Sequence, residues 1–456
     1  MENKSLEMFD SMPIGKSIVK NAVPAIMAMI MVVIFNLADT FFIGQTHNDV
    51  LVAAVSLATP VFLIFVALGT VFGIGGTSVI SRDIGSGDTE HAKKVSSFCM
   101  WGCIVVGVVL AVLFWLFMDQ LLVFIGATPD TWDAAKSYLN IVAICAPFVL
   151  ISNCFSNVLR AEGQSTKAMM GMIIGNVLNI ILDPIMILGF NWGIAGAAIA
   201  TVIGNVVGAV YFIVYFLKGK SMLSIKLKDF TMKEKVLSGV LAIGIPAALG
   251  SLLLSVSQII MNRLMAEYGD MAIAAAGVAM KVTLIIGMVC IGYGQGVQPI
   301  LGYCVGAKKW ERFRKVMRQG LLYALILGVV LTVVCFFGSG AMVSGFLTDS
   351  TALSYGEEFS HILLSSAWLF GIFFCFANAL QAMGAALPAL IVNISRQGLV
   401  YIPALFILKH FMGARGLMWA QPVADVISVI LGVVLYVYTF RRMVPKGAIG
   451  DVNSKK

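Results

Sequence analysis

Apolar runs long enough to cross a bilayer recur along the whole of this chain, separated by short polar or charged breaks. A spanning helix needs roughly 20 apolar residues. Twelve such runs are read, at about 17–43, 51–80, 94–125, 135–160, 167–189, 192–217, 236–265, 272–302, 315–347, 357–383, 388–409 and 415–440. In hydrocarbon each backbone N–H and C=O must find its partner within the protein, which leaves helices as the element for runs of this length. Of the 456 residues 59% are hydrophobic and only 12% charged, where a soluble domain carries about 25% charged residues. The chain cannot cover itself with polar surface, so lipid is part of its solvent. The expected fold is an all-α integral membrane protein of about twelve transmembrane helices. Many of its 45 glycines suit close helix packing and most of its 25 methionines suit a core. The first run is too long for a cleavable signal, and a helix of the same kind recurs at the start of the second half.

Lys and Arg set the orientation. They cluster at the N-terminus (Lys4, Lys16, Lys20), after the second run (Arg82, Lys93, Lys94) and from Lys218 to Lys235. They cluster again between the eighth and ninth runs (Lys308, Lys309, Arg312, Arg314, Lys315, Arg318) and at the C-terminus (Arg441, Arg442, Lys446, Lys455, Lys456). With twelve spans all these segments share one side. The other side holds only Lys136, Arg263, Lys409 and Arg415. The positive-inside rule then places both termini in the cytoplasm of a multi-pass protein of the bacterial cytoplasmic (inner) membrane. The net charge of +8 belongs to these loops, and no nucleic-acid partner is implied.

The chain repeats itself at an offset of 221 residues, as from Gly73 to Gly294. Gly75 matches Gly296, Gly85 matches Gly306, and Lys94-Val95 matches Lys315-Val316. Gly107-Val108-Val109-Leu110 matches Gly328-Val329-Val330-Leu331, and Asn157, Leu159, Ala161 and Gly163 match Asn378, Leu380, Ala382 and Gly384. In the first helix the register slips by one, so that Pro24 matches Pro246. Six helices per copy is an even number, so both copies enter the membrane in the same sense. The expectation is two six-helix lobes related by a pseudo-twofold along the membrane normal: residues 1–220, a cytoplasmic linker 221–235, and residues 236–456.

The copies differ where charge is most expensive. Asp39 and Asp183 stand inside apolar runs, and a carboxylate at the bilayer centre costs roughly 2.5–3.5 kcal/mol on insertion scales. Their counterparts in the second copy are Met261 and Ala404. Asn36 and Asp39 are three residues apart on one helical face, and Asn176, Asn179 and Asp183 follow at i, i+3 and i+7 on another. Thr201 in the sixth run adds a hydroxyl if its helix packs nearby. Two acids facing one pocket do not both ionise readily, which suits reversible proton binding. The same carboxylate, amide and hydroxyl oxygens also suit a small hard cation such as Na⁺, at Asp39, Asn179, Asp183 and Thr201. A purely structural polar network is the alternative.

The second half carries Lys281, Arg396 and Asp425 in or near its helices, with Gln258, Gln295, Gln298 and Gln421. Either a buried charge pair involving Asp425 or a substrate contact fits these residues. Pro24, about four turns before Asp39, marks a static bend or a hinge. His47, His91, His361 and His410 read as lying near helix ends or in loops, which disfavours a histidine relay. The eight cysteines lie mostly in apolar runs with no CxxC pair, so neither a disulfide framework nor a metal site is implied. Gly219-Lys220-Ser221 looks like the tail of a phosphate loop, but Val214 stands where the first glycine is required. HExxH and GxSxG do not occur. No enzyme chemistry or cofactor is expected, and an ion gradient is the economical energy source.

Several motifs together resemble one family. Asn36-Leu37-Ala38-Asp39-Thr40-Phe41-Phe42-Ile43-Gly44, Ser81-Arg82-Asp83-Ile84-Gly85, Leu159-Arg160-Ala161-Glu162-Gly163, Asn179-Ile180-Ile181-Leu182-Asp183-Pro184 and Gly193-Ile194-Ala195-Gly196-Ala197-Ala198 are similar to motifs of the multidrug and toxic compound extrusion (MATE) transporters, especially the DinF/MepA-like branch. The likeness covers nearly the whole chain. It implies two six-helix lobes in a V, exchanging amphipathic or cationic drugs for H⁺ or Na⁺. It also implies a coupling site at Asp39, Asn179, Asp183 and Thr201, with Tyr138 lining the same lobe. The acid that another branch carries in its second lobe is absent here, where Met261 stands.

The expectation is therefore a monomeric antiporter for drug-like compounds, in contact with membrane lipid. Tyr138, Asn157, Gln258, Lys281, Gln298, Asn378 and Arg396 are candidate substrate-cavity residues. A flippase for an amphipathic or lipid-linked substrate is the first rival, and a passive channel or membrane scaffold the second.

Overall fold

The computed structural model describes residues 7–46, 48–219, 221–345 and 350–445. Lys4, His47, Lys220, Lys446, Lys455 and Lys456 lie outside them. The apolar runs form α1 (Ile14–Gly44), α2 (Asp49–Ser86), α3 (Thr89–Leu116), α4a (Trp132–Ile144) with α4b (Ala146–Ala161), α5 (Ser165–Pro184) and α6 (Gly193–Leu217). The second copy forms α7 (Val236–Met265), α8 (Asp270–Gly306), α9 (Trp310–Ser344), α10a (Ser350–Ala367) with α10b (Phe370–Ala382), α11a (Ala386–Ile394) with α11b (Tyr401–Met412), and α12 (Ala414–Met443). Among the described residues ten helices are long and apolar enough to cross a membrane, and up to twelve spans result when each of two bent pairs counts as one. No strand occurs among the described residues. Apolar side chains stay on the outside, as lipid requires: on α9, Val334 is 63% and Phe337 84% exposed.

The two bent spans occupy matching places in the copies. The α4a–α4b break turns by 54° and the α10a–α10b break by 44°. Pro147, in the first turn of α4b, has no N–H to continue the ladder from α4a. The repeat glycines Gly107 and Gly328 seat these bends. A Cβ on Gly107 would stand 2.4 Å from Pro147 Cα, and one on Gly328 2.5 Å from the Trp368 carbonyl oxygen. The shared Gly-Val-Val-Leu word thus marks where a neighbouring helix presses its bend into α3 or α9.

Among the described residues each copy contains a single π turn, at a different position. In α5 it follows Pro184 and covers Ile185–Gly189, closed by Phe190 N–H to the Ile185 carbonyl at 2.9 Å. In the second copy it lies inside the span, at Ser395–Leu399, where Val400 N–H donates to the Ser395 carbonyl at 3.0 Å. Such insertions re-aim the side chains around them and are frequent at functional sites.

The described residues form two compact units. The first holds Met27–Ile84 and Asp88–Gly244; the second holds Glu7–Ile26, Gly85–Gly87 and the chain from Ile245 onward. The start of α1, as far as Ile26, therefore belongs to the second unit, and the start of α7, as far as Gly244, belongs to the first. Matching glycines make both arrangements possible. Within the first unit a Cβ on Gly75 would lie 2.2 Å from the Val240 carbonyl oxygen of α7. Within the second, a Cβ on Gly296 would lie 2.4 Å from Ala22 Cα of α1, where Asn21 Nδ2 also donates to the Gly296 carbonyl at 2.7 Å. Pro24 stands in an uninterrupted α1, two residues before the chain leaves the second unit.

The segment after α6 is strapped to the first unit. Ser221 Oγ and Met222 N–H donate to the two Glu162 carboxylate oxygens at 2.5 and 3.0 Å. Ser97 Oγ and Trp101 Nε1 of α3 donate to the carbonyls of Lys226 and Ile225 at 2.7 and 3.2 Å. All eight cysteines are buried and free. His361 lies well inside α10a, not at a helix end, stacked on Phe336 with centroids 4.3 Å apart.

Candidate functional site

Two small-xxx-small motifs build the site in the first unit. Gly171 and Gly175 lie one turn apart on α5, and Gly204 and Gly208 one turn apart on α6. A Cβ on Gly175 would meet the Gly204 carbonyl oxygen at 2.7 Å, and one on Gly204 would meet the Gly175 carbonyl oxygen at the same 2.7 Å. Only glycine at both positions lets these backbones touch. The next turn of α5 then sets Asn179 against α6, where its Nδ2 donates to Thr201 Oγ1 at 3.3 Å. Asp183 follows one turn later, at the end of α5.

Two further side chains join Asn179, Thr201 and Asp183 here. Asp183 is fully buried, Asn179 2% and Thr201 4% exposed. Asp39 on α1 is near enough to interact electrostatically with Asp183. Tyr138 on α4a, buried as well, is within interaction range of Thr201 and of both carboxylates. Four helices thus converge on one buried polar cluster.

That cluster is short of donors. Both Asp183 carboxylate oxygens, Asp39 Oδ1 and Asn179 Oδ1 are buried and have no hydrogen-bond partner in the protein. A buried ionised carboxylate without a partner is strongly unfavourable. Four oxygen acceptors without donors make a set that a proton on a carboxylate, or a small hard cation, would complete. Among the described residues no group of three or more His, Cys, Asp or Glu is placed to hold a metal ion. An oxygen set of two acids, an amide and a hydroxyl is a different kind of site.

The remaining first-copy residues fall differently. Asn36 is exposed, and its Nδ2 donates to the Val32 carbonyl of its own helix at 2.9 Å. Asn176 lines a neighbouring cavity of about 130 Å³ together with Asn179, Asn153, Asn205, Phe35 and Phe62. Asn153 and Asn205 were not singled out from the sequence; asparagines inside apolar helices, the second of them beside Gly204 on α6, were the signal. Asn157 is buried, its Nδ2 bound to the Asn153 carbonyl at 2.9 Å.

The second unit replaces the cluster with hydrocarbon. Met261 and Ala404, the counterparts of Asp39 and Asp183, lie together in one buried apolar cluster with Met265, Leu405 and Leu417. Phe359, which stands where the 221 offset from Tyr138 leads, belongs to it too. The fold brings the corresponding positions together in both copies, but only the first makes them polar.

A separate cavity of about 230 Å³ lies in the second unit, lined by Gln258 and Arg396 among others. Arg396 Nε donates to Asp425 Oδ1 at 2.7 Å, so the charge pair considered from the sequence is Arg396–Asp425. Lys281 is exposed on α8. Gln298 and Asn378 are buried, the latter through Nδ2 to the Phe374 carbonyl at 2.8 Å.

Helices, repeat and site define a polytopic membrane protein made of two copies of one six-helix module. The MatE family model matches residues 24–185 and again 246–407, so the chain belongs to the MatE family, which is a family of membrane transporters and not of enzymes. The chain is 33% identical over 441 residues, 97% of each chain, to the multidrug export protein MepA of Staphylococcus aureus strain N315. It is 30% identical over the same shares to MepA of Staphylococcus saprophyticus. Its fold matches the outward-facing conformation of a multidrug resistance MATE family transporter with a TM-score of 0.92 at 23% identity, covering 96% of this chain and 98% of that one. A MOP superfamily transporter from Pyrococcus furiosus matches with a TM-score of 0.90 at 23% identity, covering 98% of each.

Proposed function

We propose that this protein is a secondary active multidrug efflux antiporter, exporting amphipathic and cationic compounds in exchange for H⁺ or Na⁺. The observation that carries the reading is Asp183, fully buried with neither carboxylate oxygen partnered, beside the equally unpartnered Oδ1 atoms of Asp39 and Asn179. The multidrug export function named for MepA, a relative 33% identical along nearly the whole chain, supports the class of cargo. Protein contacts alone do not complete this site, so a proton or a hard cation is its natural ligand. In this reading Asp39, Asp183, Asn179 and Thr201 hold the coupling ion, and Tyr138 closes the cluster. The carboxylates are neutralised as the ion arrives and recharged as it leaves.

The basic segments at Arg82–Lys94 and Lys308–Arg318 favour a cytoplasmic-membrane protein with both termini inside. With that orientation Asp39 and Asp183 fall toward the outer ends of α1 and α5, where an ion loads from outside. Pro24 is then the hinge of α1, and a monomer is sufficient for the cycle.

Dye transport into inverted membrane vesicles, under separately imposed proton and sodium gradients, tests the reading and identifies the ion. Wild-type protein is expected to accumulate a cationic dye against its gradient with one ion only. Asp39→Asn and Asp183→Asn are expected to fold and to abolish uphill transport. Wild-type rates in both folded variants overturn the proposal.

A further inference from the structure

The cavity of the second unit has its own chemistry, and its polarity is opposite to that of the acidic cluster. Its charged wall is Arg396, carried on the π turn Ser395–Leu399. The guanidinium carbon sits 4.2 Å from the centre of the Phe370 ring and 5.2 and 5.5 Å from those of Phe373 and Phe374. Asp425 takes only Nε of this group, at 2.7 Å.

Asp425 itself is 1% exposed and well supplied. Besides Arg396, Oδ1 accepts from Gln421 Nε2 at 2.9 Å and Oδ2 from Ser366 Oγ at 2.7 Å. The acid is thus closed to a ligand, while the guanidinium it orients is not. Arg396 keeps its two terminal nitrogens, a planar fork matched to a two-oxygen acceptor. An ammonium group entering the cavity would meet this fork and not the acid behind it. The three phenylalanines supply faces for an aromatic ring, and Gln258 and Gln397 offer amides at the wall. The volume, about 230 Å³, lies below the roughly 300–1,000 Å³ of drug-sized sites, so the fitting group has one or two rings.

We infer that the second unit holds a binding site for a small aromatic carboxylate, with Arg396 gripping the carboxylate and Phe370, Phe373 and Phe374 packing the ring. The site is independent of the coupling reading, because binding needs no gradient and none of its residues belongs to the acidic cluster. It extends the ligand chemistry of this protein from cations to aromatic acids.

The test is equilibrium binding to the full-length protein in lipid nanodiscs, with empty nanodiscs subtracted. The probes are 2-naphthoate, neutral 2-naphthamide and 2-naphthylmethylammonium. Wild-type protein is expected to bind the naphthoate at least about tenfold tighter than either other probe. Arg396→Gln with Asp425→Asn removes both charges, leaves no orphaned acid, and is expected to abolish this preference. Arg396→Lys keeps the charge pair but not the fork, and is expected to weaken naphthoate binding about tenfold. Phe373→Leu is expected to weaken all three probes while keeping their order. Equal binding of the three probes by wild type overturns the inference. So does a naphthoate preference that survives in Arg396→Lys at full strength, which remains decisive if the double variant does not fold.

Discussion

The side-chain amide of Asn179 on α5 donates to the hydroxyl of Thr201 on α6 across 3.3 Å, and the Asn179 carbonyl oxygen is left buried without a donor. This one bond joins the two helices that carry Asn179, Asp183 and Thr201. It also supplies the packing of α6 on α5 that a place for Thr201 beside Asn179 requires. Thr201→Val removes the acceptor and strands a buried amide, at a cost of about 1–3 kcal/mol. Thr201→Ser keeps the hydroxyl. The expected outcome is a lowered melting temperature and reduced efflux for the valine variant, with near wild-type values for serine, read by thermal denaturation in detergent and by dye efflux.

The glycine contacts between α5 and α6 set the spacing of the site. A methyl group on Gly175 would press on backbone, the Gly204 carbonyl oxygen at 2.7 Å. On Gly208 it would meet first the Ser152 hydroxyl at 3.2 Å, a side chain able to rotate away. Gly175→Ala is therefore expected to destabilise by about 1–3 kcal/mol and to impair efflux. Gly208→Ala should be the milder change in both assays, and the reverse order would show that another contact sets the helix spacing.

The Arg396–Asp425 pair is buried, with side chains 11% and 1% exposed. Removing one partner leaves the other uncompensated, which costs about 3–5 kcal/mol. Asp425→Ala should lower the melting temperature strongly. Replacing both, as Arg396→Met with Asp425→Leu, should recover most of that loss, because two desolvation costs disappear with the attraction. A double-mutant cycle by thermal denaturation measures the difference.

Glu162, just beyond the end of α4b, is the clearest pH-sensitive group outside the spans. Burial pushes its carboxyl up to about 7, against the opposing hydrogen bonds from Ser221 and Met222. The folded state therefore holds this proton more tightly than the unfolded state, whose carboxyl titrates near 4.5. The resulting stability is fully present below about 4.5 and is lost as pH rises through about 7. Glu162→Gln should flatten that part of the stability profile, and Ser221→Ala should move the transition upward. Melting temperature against pH for the three proteins checks both statements.

Much of this was legible in the sequence. Length and apolarity of the runs point to ten to twelve spans, because an unpaired backbone cannot stay in hydrocarbon. The repeated glycines and asparagines reveal the duplication, which the matched residues 24–185 and 246–407 repeat. Asp39, Asn179 and Asp183 stand out because polar groups are costly in apolar helices. Asn36 stood out by the same argument, yet it is exposed and its amide bonds to its own helix. A helical face can be counted along one chain, but what it meets depends on the neighbour.

The sequence by itself determined the class of the molecule, its duplication and the fact that only the first copy carries the acids. Tertiary structure decided the rest. The glycine contact of α5 with α6 brings Asn179 to Thr201, α1 and α4a deliver Asp39 and Tyr138, and the second copy packs Met261 with Ala404 in hydrocarbon at the corresponding place. Periodicity fixes the face on which a side chain stands, whereas the partner that face meets is set by close packing between segments far apart in the chain.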